Sequence, residues 1–480
     1  MIPDHKGETI GKIIESCLLD WGIEKVLTIT VDNASANKVA IDYVRRKMRN
    51  WNESKLVLGG NFLHVRCCAH IINLIVSDGL KDMNDSIVRI RNAVQYVRSS
   101  PSRLQKFKNA AEHERIESHS IVILDVPTRW NSTYLMLSTA LKFQKAFDRL
   151  LDDDARYGLY FSELDSGKNR VGPPKEDDWD NAKVFVQFLH VFYDITLKFS
   201  ASLSVTSNMF FHELCSIATE LNTLANSGDF LLGEMAAAMK YKFDKYWGKI
   251  EDLNKLLIIA LVLDPRYKLD YVKFCFGDLF EENKVNEMTY DIKELLIKLY
   301  EFYKGVDNIS SSDQVSRSIP LENEGDMGKV NENVDFRLER LKKFMQMKEK
   351  KDFVDLKNEV ERYLIESDEN TDDDSFDLLN WWKVNCSKYK ILSRIAKDIF
   401  AIPVSTVASE SAFSTGGRVL DPFRSSLSPK MVEILICLQN WLRTSNICFD
   451  VAPSTGEMEF YEALEKEIGM TTSSDDTVVG

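Results

Sequence analysis

Residues 25–31 read KVLTITV and run directly into Asp32-Asn33-Ala34-Ser35. The β-branched run predicts a strand. The Asp/Asn/Ser cluster ends it and caps a second helix, predicted through about Met48. Upstream, Ile10, Ile13, Ile14, Cys17, Leu18 and Trp21 fall at helical spacing over 7–22, a stripe closed by Gly22. Downstream, Phe62–Cys68 reads as another strand, followed by a helix from about Ala69 to Leu80. The order helix–strand–helix–strand–helix predicts an α/β pattern with parallel pairing. Two strands do not make a parallel sheet covered on both faces. The expectation is therefore an incomplete sheet, lacking strands that would precede Met1 or supported by the rest of the chain.

From Asn84 onward the periodicity is almost entirely helical, with helices predicted over 84–98, 133–151, 181–199, 206–226, 230–249 and 283–304. Asp152–Asp178 is charged and contains Gly and Pro, an excursion from that pattern. Val306–Val334 is polar and predicts disorder, 336–365 a helix, and the acidic Ser367–Ser375 a solvated linker. Phe376–Leu442 is dense in apolar residues, and Met431–Leu442 is apolar nearly all the way round. A helix with no polar face needs cover on every side, so it is either the centre of the fold or part of a subunit interface. The tail after Ser454 reads as frayed.

Composition narrows the classes. In 480 residues, 44% hydrophobic and 10% aromatic content supports a sizeable core. The 74 acidic residues outnumber the 61 basic ones, giving a net charge of −13. A whole-surface grip on nucleic acid is thereby excluded, leaving only a local basic patch. The eight cysteines form no C-x-x-C pair, so neither a zinc module nor a disulfide framework is visible, and they read as buried thiols in a reducing compartment. No secretory leader and no uncharged apolar run of about 18 residues is present, which predicts a soluble intracellular chain without a membrane partner.

Asp32 stands where a strand ends and a helix begins, a favoured active-site position in α/β sheets, although a turn cap is the commoner role there. His64, Cys67, Cys68 and His70 resemble a ligand cluster. Strand alternation turns Cys67 away from His64, Arg66 and Cys68, so thiols packed in the core are the better reading. Arg129-Trp130-Asn131-Ser132-Thr133 is either an exposed loop carrying an aromatic for base stacking or a loop anchored by its Trp. Glu410 lies in PVSTVASESAFS, read as a short helix starting at Pro403 and ended by Gly416-Gly417, with small neighbours leaving the carboxylate room. Arg418, Arg424 and Lys430 form one basic group. Residues 340–351 hold another, whose alternation with acids suits a salt-bridged surface. No P-loop, nucleophile elbow or H-E-x-x-H is present.

The segments HKGETI…LLDWGI, TITVDNASAN, HVRCCAHIINLIV, TRWNSTYLML, LDPRYK and IPVSTVASESAFSTGGRVLDPFRSSLSPKMVEILICLQNWLR together resemble the hAT transposase superfamily, in its plant RICESLEEPER-like branch. The resemblance covers most of the chain in order. It implies an RNase H-like core interrupted by a large all-α insertion, with a helical C-terminal dimerisation region. The fold class expected is thus α/β but predominantly helical, with an incomplete RNase H-like core. The implied Asp-Asp-Glu triad binds two divalent metals; Asp32 matches the second Asp and Glu410 the Glu. Trp130 matches a tryptophan that supports the DNA end or a flipped base, with Arg129 beside it. Cys67 and His70 match a C-x-x-H motif near the pocket. The first Asp, the early strands and the BED zinc finger of the family have no counterpart in these residues.

The division expected is a partial core over 1–140, a helical insertion over 141–305 and a disordered linker over 306–335. A helix and acidic linker over 336–375, the dimerisation region over 376–445 and a tail over 446–480 follow. Two carboxylates hold one Mg²⁺ or Mn²⁺ loosely, whereas in-line phosphoryl chemistry needs ions about 3.5–4 Å apart clamped by several acids. The expectation is a transposase-derived nuclear protein with degenerate catalysis. It would dimerise through Trp381, Trp382, Leu435, Leu438 and Trp441, meet DNA through Arg129, Trp130, Arg418 and Arg424, and take no small-molecule substrate. The alternatives are an active DDE-type DNA transposase or nuclease completed by an upstream exon or a partner chain, and an interaction scaffold with no DNA role.

Overall fold

The computed structural model describes residues 4, 6–51, 56–81, 84–118, 121–165, 168–201, 204–226, 228, 230–315, 358–370, 375–411 and 427–446. Two compact units divide the chain: 1–200 with 205–406, and 201–204 with 407–480.

In the first unit, β1 (Ile29–Val31) and β2 (His64–Arg66) pair in parallel, Ile29 opposite His64 and Val31 opposite Arg66. The ladder is shorter than the apolar runs that predict it, and among the described residues no third strand joins it. Helix α1 (Gly7–Asp20) packs on α2 (Ser35–Trp51) through two glycines four residues apart. A Cβ on Gly11 would stand 2.8 Å from the Tyr43 ring, and one on Gly7 would collide with the Ala36 carbonyl. That approach buries Leu18, Ile41, Val44 and Met48 with Leu56 and Leu63 in a small core of their own.

Support for the short sheet comes from distant sequence. Asn254 donates from Nδ2 to the carbonyls of Phe62 (2.8 Å) and His64 (3.1 Å), while its Oδ1 accepts from Leu256 N–H and caps the following helix. Residues 403–406 lie at the carboxyl end of the strands. Thr30 Oγ1 donates to Pro403 O (2.7 Å), Cys68 N–H to Val404 O (2.8 Å), and Ser405 Oγ to Phe199 O (2.7 Å). Pro403 therefore does not start a helix as predicted. Its carbonyl is spent on the sheet, and helix begins only at 407.

Helices α3 (Cys68–Gly79), α4 (Asn84–Arg98) and α5 (Pro101–His113) follow. The helix predicted over 133–151 is two, α6 (Trp130–Lys142) and α7 (Gln144–Asp153), broken at Phe143, whose ψ of 14° leaves the helical region. The 152–178 excursion holds α8 (Ala155–Tyr160) and a hairpin of β3 (Leu164–Asp165) and β4 (Lys168–Asn169). Then come α9 (Glu176–Ser200), α10 (Phe210–Ala225), α11 (Phe230–Trp247), α12 (Lys255–Val262), α13 (Lys268–Gly277) and α14 (Glu282–Val315). Helix α14 runs ten residues into the stretch predicted to be disordered; 316–357 lie outside the described residues. Seven consecutive residues of α12, Leu256–Val262, are buried, so it is the fully covered helix of this unit.

The turn after α12, LDPRYK (263–268), binds the C-terminal third to this core. Asp264 is wholly buried and accepts from Arg266 N–H, Nε and Nη2 and from Asn208 Nδ2 (2.9 Å). The Asp264 carboxylate hydrogen-bonded to Arg266 holds that guanidinium firmly protonated. Lys268, at φ 48°, sends its ammonium to the carbonyls of Glu366 (2.6 Å) and Ser367 (2.9 Å). Tyr363 Oη donates to Val262 O, and Trp382 Nε1 to Leu263 O.

In the second unit the helix Pro429–Asn446 leaves Met431, Ile434 and Leu438 exposed and Leu435 half-buried.

Candidate functional site

Asp32 directly follows β1. Its Oδ1 accepts from Ala34 N–H (2.8 Å) and Asn37 Nδ2 (2.6 Å), a capping turn that starts α2, and the residue is exposed. The capping role is thus present, and Oδ2 has no protein partner among the described residues. Asn33 reaches across to Cys67 O (3.5 Å) and buries an Oδ1 that no group among the described residues meets.

Cys67 sits at the amino end of α3, and its N–H donates to Val31 O (2.8 Å). Its buried sulfur accepts from Thr406 N–H and Oγ1, both at 3.3 Å. The Cys67 sulfur therefore helps bind residues 403–406 to the strand end. Burial, reinforced by neighbouring Cys67, pushes the Cys68 thiol well above its ordinary range, so it is a protonated core thiol and a poor metal ligand. His70 lies half-buried in the first turn of α3. Among the described residues no three His, Cys, Asp or Glu side chains are grouped as a metal site.

Glu410 belongs to the second unit, exposed on the helical turn at 407–411. Arg418, Arg424 and Gly416-Gly417 lie outside the described residues, as does the Trp441 side chain.

Arg129 is exposed and Trp130 is 4% exposed. Of the two readings of this loop, the structure has the anchored one. The Trp130 ring meets Tyr134 edge-on at 6.3 Å, and Tyr134 stacks on Tyr193 at 4.6 Å. The loop is pinned by Asp125, which takes a two-pronged bond from Arg91 and a third from Thr133 Oγ1. Ser132 Oγ also accepts from Val126 N–H. In this conformation the Arg129 guanidinium is exposed and the indole is not.

Trp381 and Trp382, expected at a subunit interface, also make contacts within the chain. Trp381 donates to Glu369 Oε1 (2.9 Å), while Trp382 is buried on Tyr363 and Leu263. Their neighbour Glu366 is pushed up by burial, but hydrogen bonds from Lys388 and Tyr389 outweigh this and hold its carboxyl below the usual range. Both indole N–H groups have acceptors within the first unit, with Trp382 buried and Trp381 half-buried. Of the residues expected to dimerise, Leu435 and Leu438 lie on the second unit's helix, with Leu438 45% exposed.

Sequence reading missed Asn254, the Lys268 ammonium and the Thr406 contact to Cys67. Each joins groups far apart in the chain, and a lone Asn, Lys or Thr carries no periodic signal. The sequence presents His64 only as a candidate ligand and Arg66 only as its neighbour on the strand face. Both line a cavity between β2 and the α11–α12 connection.

Four family models match in succession: the ZBED1 RNase-like domain over 1–62, the ZBED1 RNase-like helical domain over 65–185, the hAT-like transposase, RNase-H fold, over 208–303, and the hAT family C-terminal dimerisation region over 359–442. The segment 208–303 matched under the RNase-H name is helical wherever it has regular structure among the described residues. A Zea mays protein provisionally named AC transposase is 34% identical over 464 residues, covering 96% of this chain and 54% of its own length. The zinc finger BED domain-containing protein RICESLEEPER 2 of Oryza sativa subsp. japonica is 33% identical, covering 92% and 59%. DAYSLEEPER of Arabidopsis thaliana, likewise named a zinc finger BED domain-containing protein, is 28% identical, covering 92% and 58%. The chain thus spans a little over half the length of the curated relatives it matches. Matched from residue 1 to 442 by these models in order, and related at about one residue in three to these plant proteins, the chain belongs to the hAT transposase family.

Proposed function

We propose that these 480 residues form a transposase-derived nuclear protein that associates with itself through its C-terminal hAT region, lies against DNA, and does not cut DNA unaided. The observation that carries self-association is the exposure of Met431, Ile434 and Leu438 along the last described helix, inside the stretch matched to the dimerisation region. Apolar side chains aligned on one helix face are stabilised by burial against a partner, at about 25 cal/mol per Å² covered. Light scattering on the eluting chain tests it: a dimer at micromolar concentration is expected, and Leu438→Asp should give a monomer. A wild-type monomer would sink the reading.

The proposed division keeps a partial RNase H-like core at 1–140, a helical insertion at 141–305 and a dimerising region at 376–445. DNA association rests on the basic side chains Arg129, Arg418 and Arg424 in an otherwise acidic chain, so binding should weaken steeply with salt. Absence of any salt-dependent binding would favour a pure interaction scaffold. Catalytic silence rests on the acids that the resemblance assigns within this segment, Asp32 and Glu410. Two carboxylates leave a pair of divalent ions under-neutralised. A Mg²⁺- or Mn²⁺-dependent nicking assay is expected to show no cleavage, and cleavage abolished by Asp32→Ala would overturn that. In that event a third acid from sequence outside these residues, or from a partner chain, completes the site.

A further inference from the structure

Between β2 and the α11–α12 connection lies a cavity of about 250 Å³. Sites that take drug-sized ligands run to roughly 300–1,000 Å³, so this one suits a single small unit. One wall is cationic. Arg66 lines it with a guanidinium that makes no ion pair or hydrogen bond among the described residues, and His64 stands two residues back on the same strand face. The His64 Nε2 is buried without a protein partner among the described residues. A buried nitrogen left so is destabilising until something meets it.

Burial lowers the His64 pKa, and Arg66, Arg45 and Lys38 lower it further against the single opposing charge of Asp42. Asp42 is itself paired with Arg45 at 3.1 Å. The rest of the lining differs in kind. Half-buried Tyr246 and buried Trp247 give it aromatic surface, and Glu251, Asp252 and Lys255 set acceptors and a donor at its edge. Lys255 is held only loosely, 3.7 Å from Asp291. Asn254 contributes shape alone, since its amide is committed to the strand carbonyls and to Leu256.

A bare anion would use the cationic wall and leave the rest idle. A neutral heterocycle would use the rest and leave Arg66 and His64 unanswered. From this pairing we infer that the cavity binds a nucleoside monophosphate unit, with its phosphate on Arg66 and His64 and its base against Tyr246 beside the mixed donors and acceptors of the edge. Aromatic surface with a neighbouring cation is the chemistry that holds single nucleotides. The unit is either one nucleotide of a single strand or a free nucleotide, and the inference does not depend on self-association.

The test is a titration of the full chain with deoxyadenosine 5′-monophosphate, inorganic phosphate and a short single-stranded oligonucleotide, read by the His64 imidazole resonance. Expected are saturable binding of the mononucleotide at least tenfold tighter than of phosphate, and a rise in the His64 pKa on binding. A loss of about tenfold with Arg66→Gln is also expected. Lys255→Gln, at the edge, should weaken the mononucleotide but not phosphate, and it carries the test if Arg66→Gln loses its circular dichroism. An oligonucleotide that displaces the mononucleotide assigns the cavity to a strand; one that does not assigns it to a free nucleotide. Equal affinity for phosphate and mononucleotide would overturn the inference. So would an unmoved His64 resonance, or indifference to both substitutions.

Discussion

Asp32 and Asp264 each open a short motif at a turn, in VDNAS and LDPRYK, yet the fold uses them in opposite ways. Asp264 is fully buried with both oxygens engaged by Arg266 and Asn208. Asp32 is exposed, with one oxygen capping α2. The first carboxylate is consumed by architecture. The second retains acceptor capacity and stands at the strand end, where ligands of α/β sheets approach. An aspartate in a motif is therefore diagnostic of chemistry only once its oxygens have been accounted for.

The sharpest way to break this contrast is to remove each acid in turn. Asp264→Ala leaves Arg266 partly buried without its counter-charge, and a destabilisation of about 3–5 kcal/mol in urea unfolding is expected. A loss below 1 kcal/mol would mean the turn is not the clamp described. Next in size is Gly11→Leu. The added side chain would meet the Tyr43 ring and Ala40 carbonyl, so a loss of about 1–3 kcal/mol is expected, with α1 the first element to exchange its amides. Asp32→Ala should cost only about 0.5–2 kcal/mol, the worth of a helix cap. A larger loss would show that Asp32 is structural after all.

The smallest effect is on pH. His64 has a depressed pKa when folded, so the unfolded chain binds its proton more readily. Stability should therefore fall as pH drops below the unfolded value near 6.5, until the folded imidazole also titrates. Replacing it as His64→Gln should flatten that part of the stability–pH curve. An unchanged slope between pH 7 and 5 would break the prediction.

Local pattern carried much of this fold. The stripe at 7–22, the β-branched run at 25–31 and the strand read at 62–68 all appear as elements of the kind expected, and α4 spans the predicted 84–98. Periodicity fails where the determinant is one residue or one distant partner. Phe143 interrupts an otherwise continuous apolar stripe, and the polar 306–315 extends a helix whose start lies far upstream. The candidate site was legible as residue types but not as environment. Nothing in RWNST says that Arg91 and Thr133 will fasten Asp125 and bury the indole. Nothing in NWWKV says that Trp382 will be buried against Leu263 while Trp381 stays half-buried beside Glu369.

The bonds from residues 403–406 to Thr30, Cys67 and Cys68 span more than three hundred positions. While the chain is being made, β1 and β2 emerge first and must wait with Cys68 N–H and the Cys67 sulfur unsatisfied until Thr406 has left the ribosome. The end of this sheet is accordingly a late-closing element, and synthesis halted before residue 403 should yield a chain whose amino-terminal corner stays open to proteases.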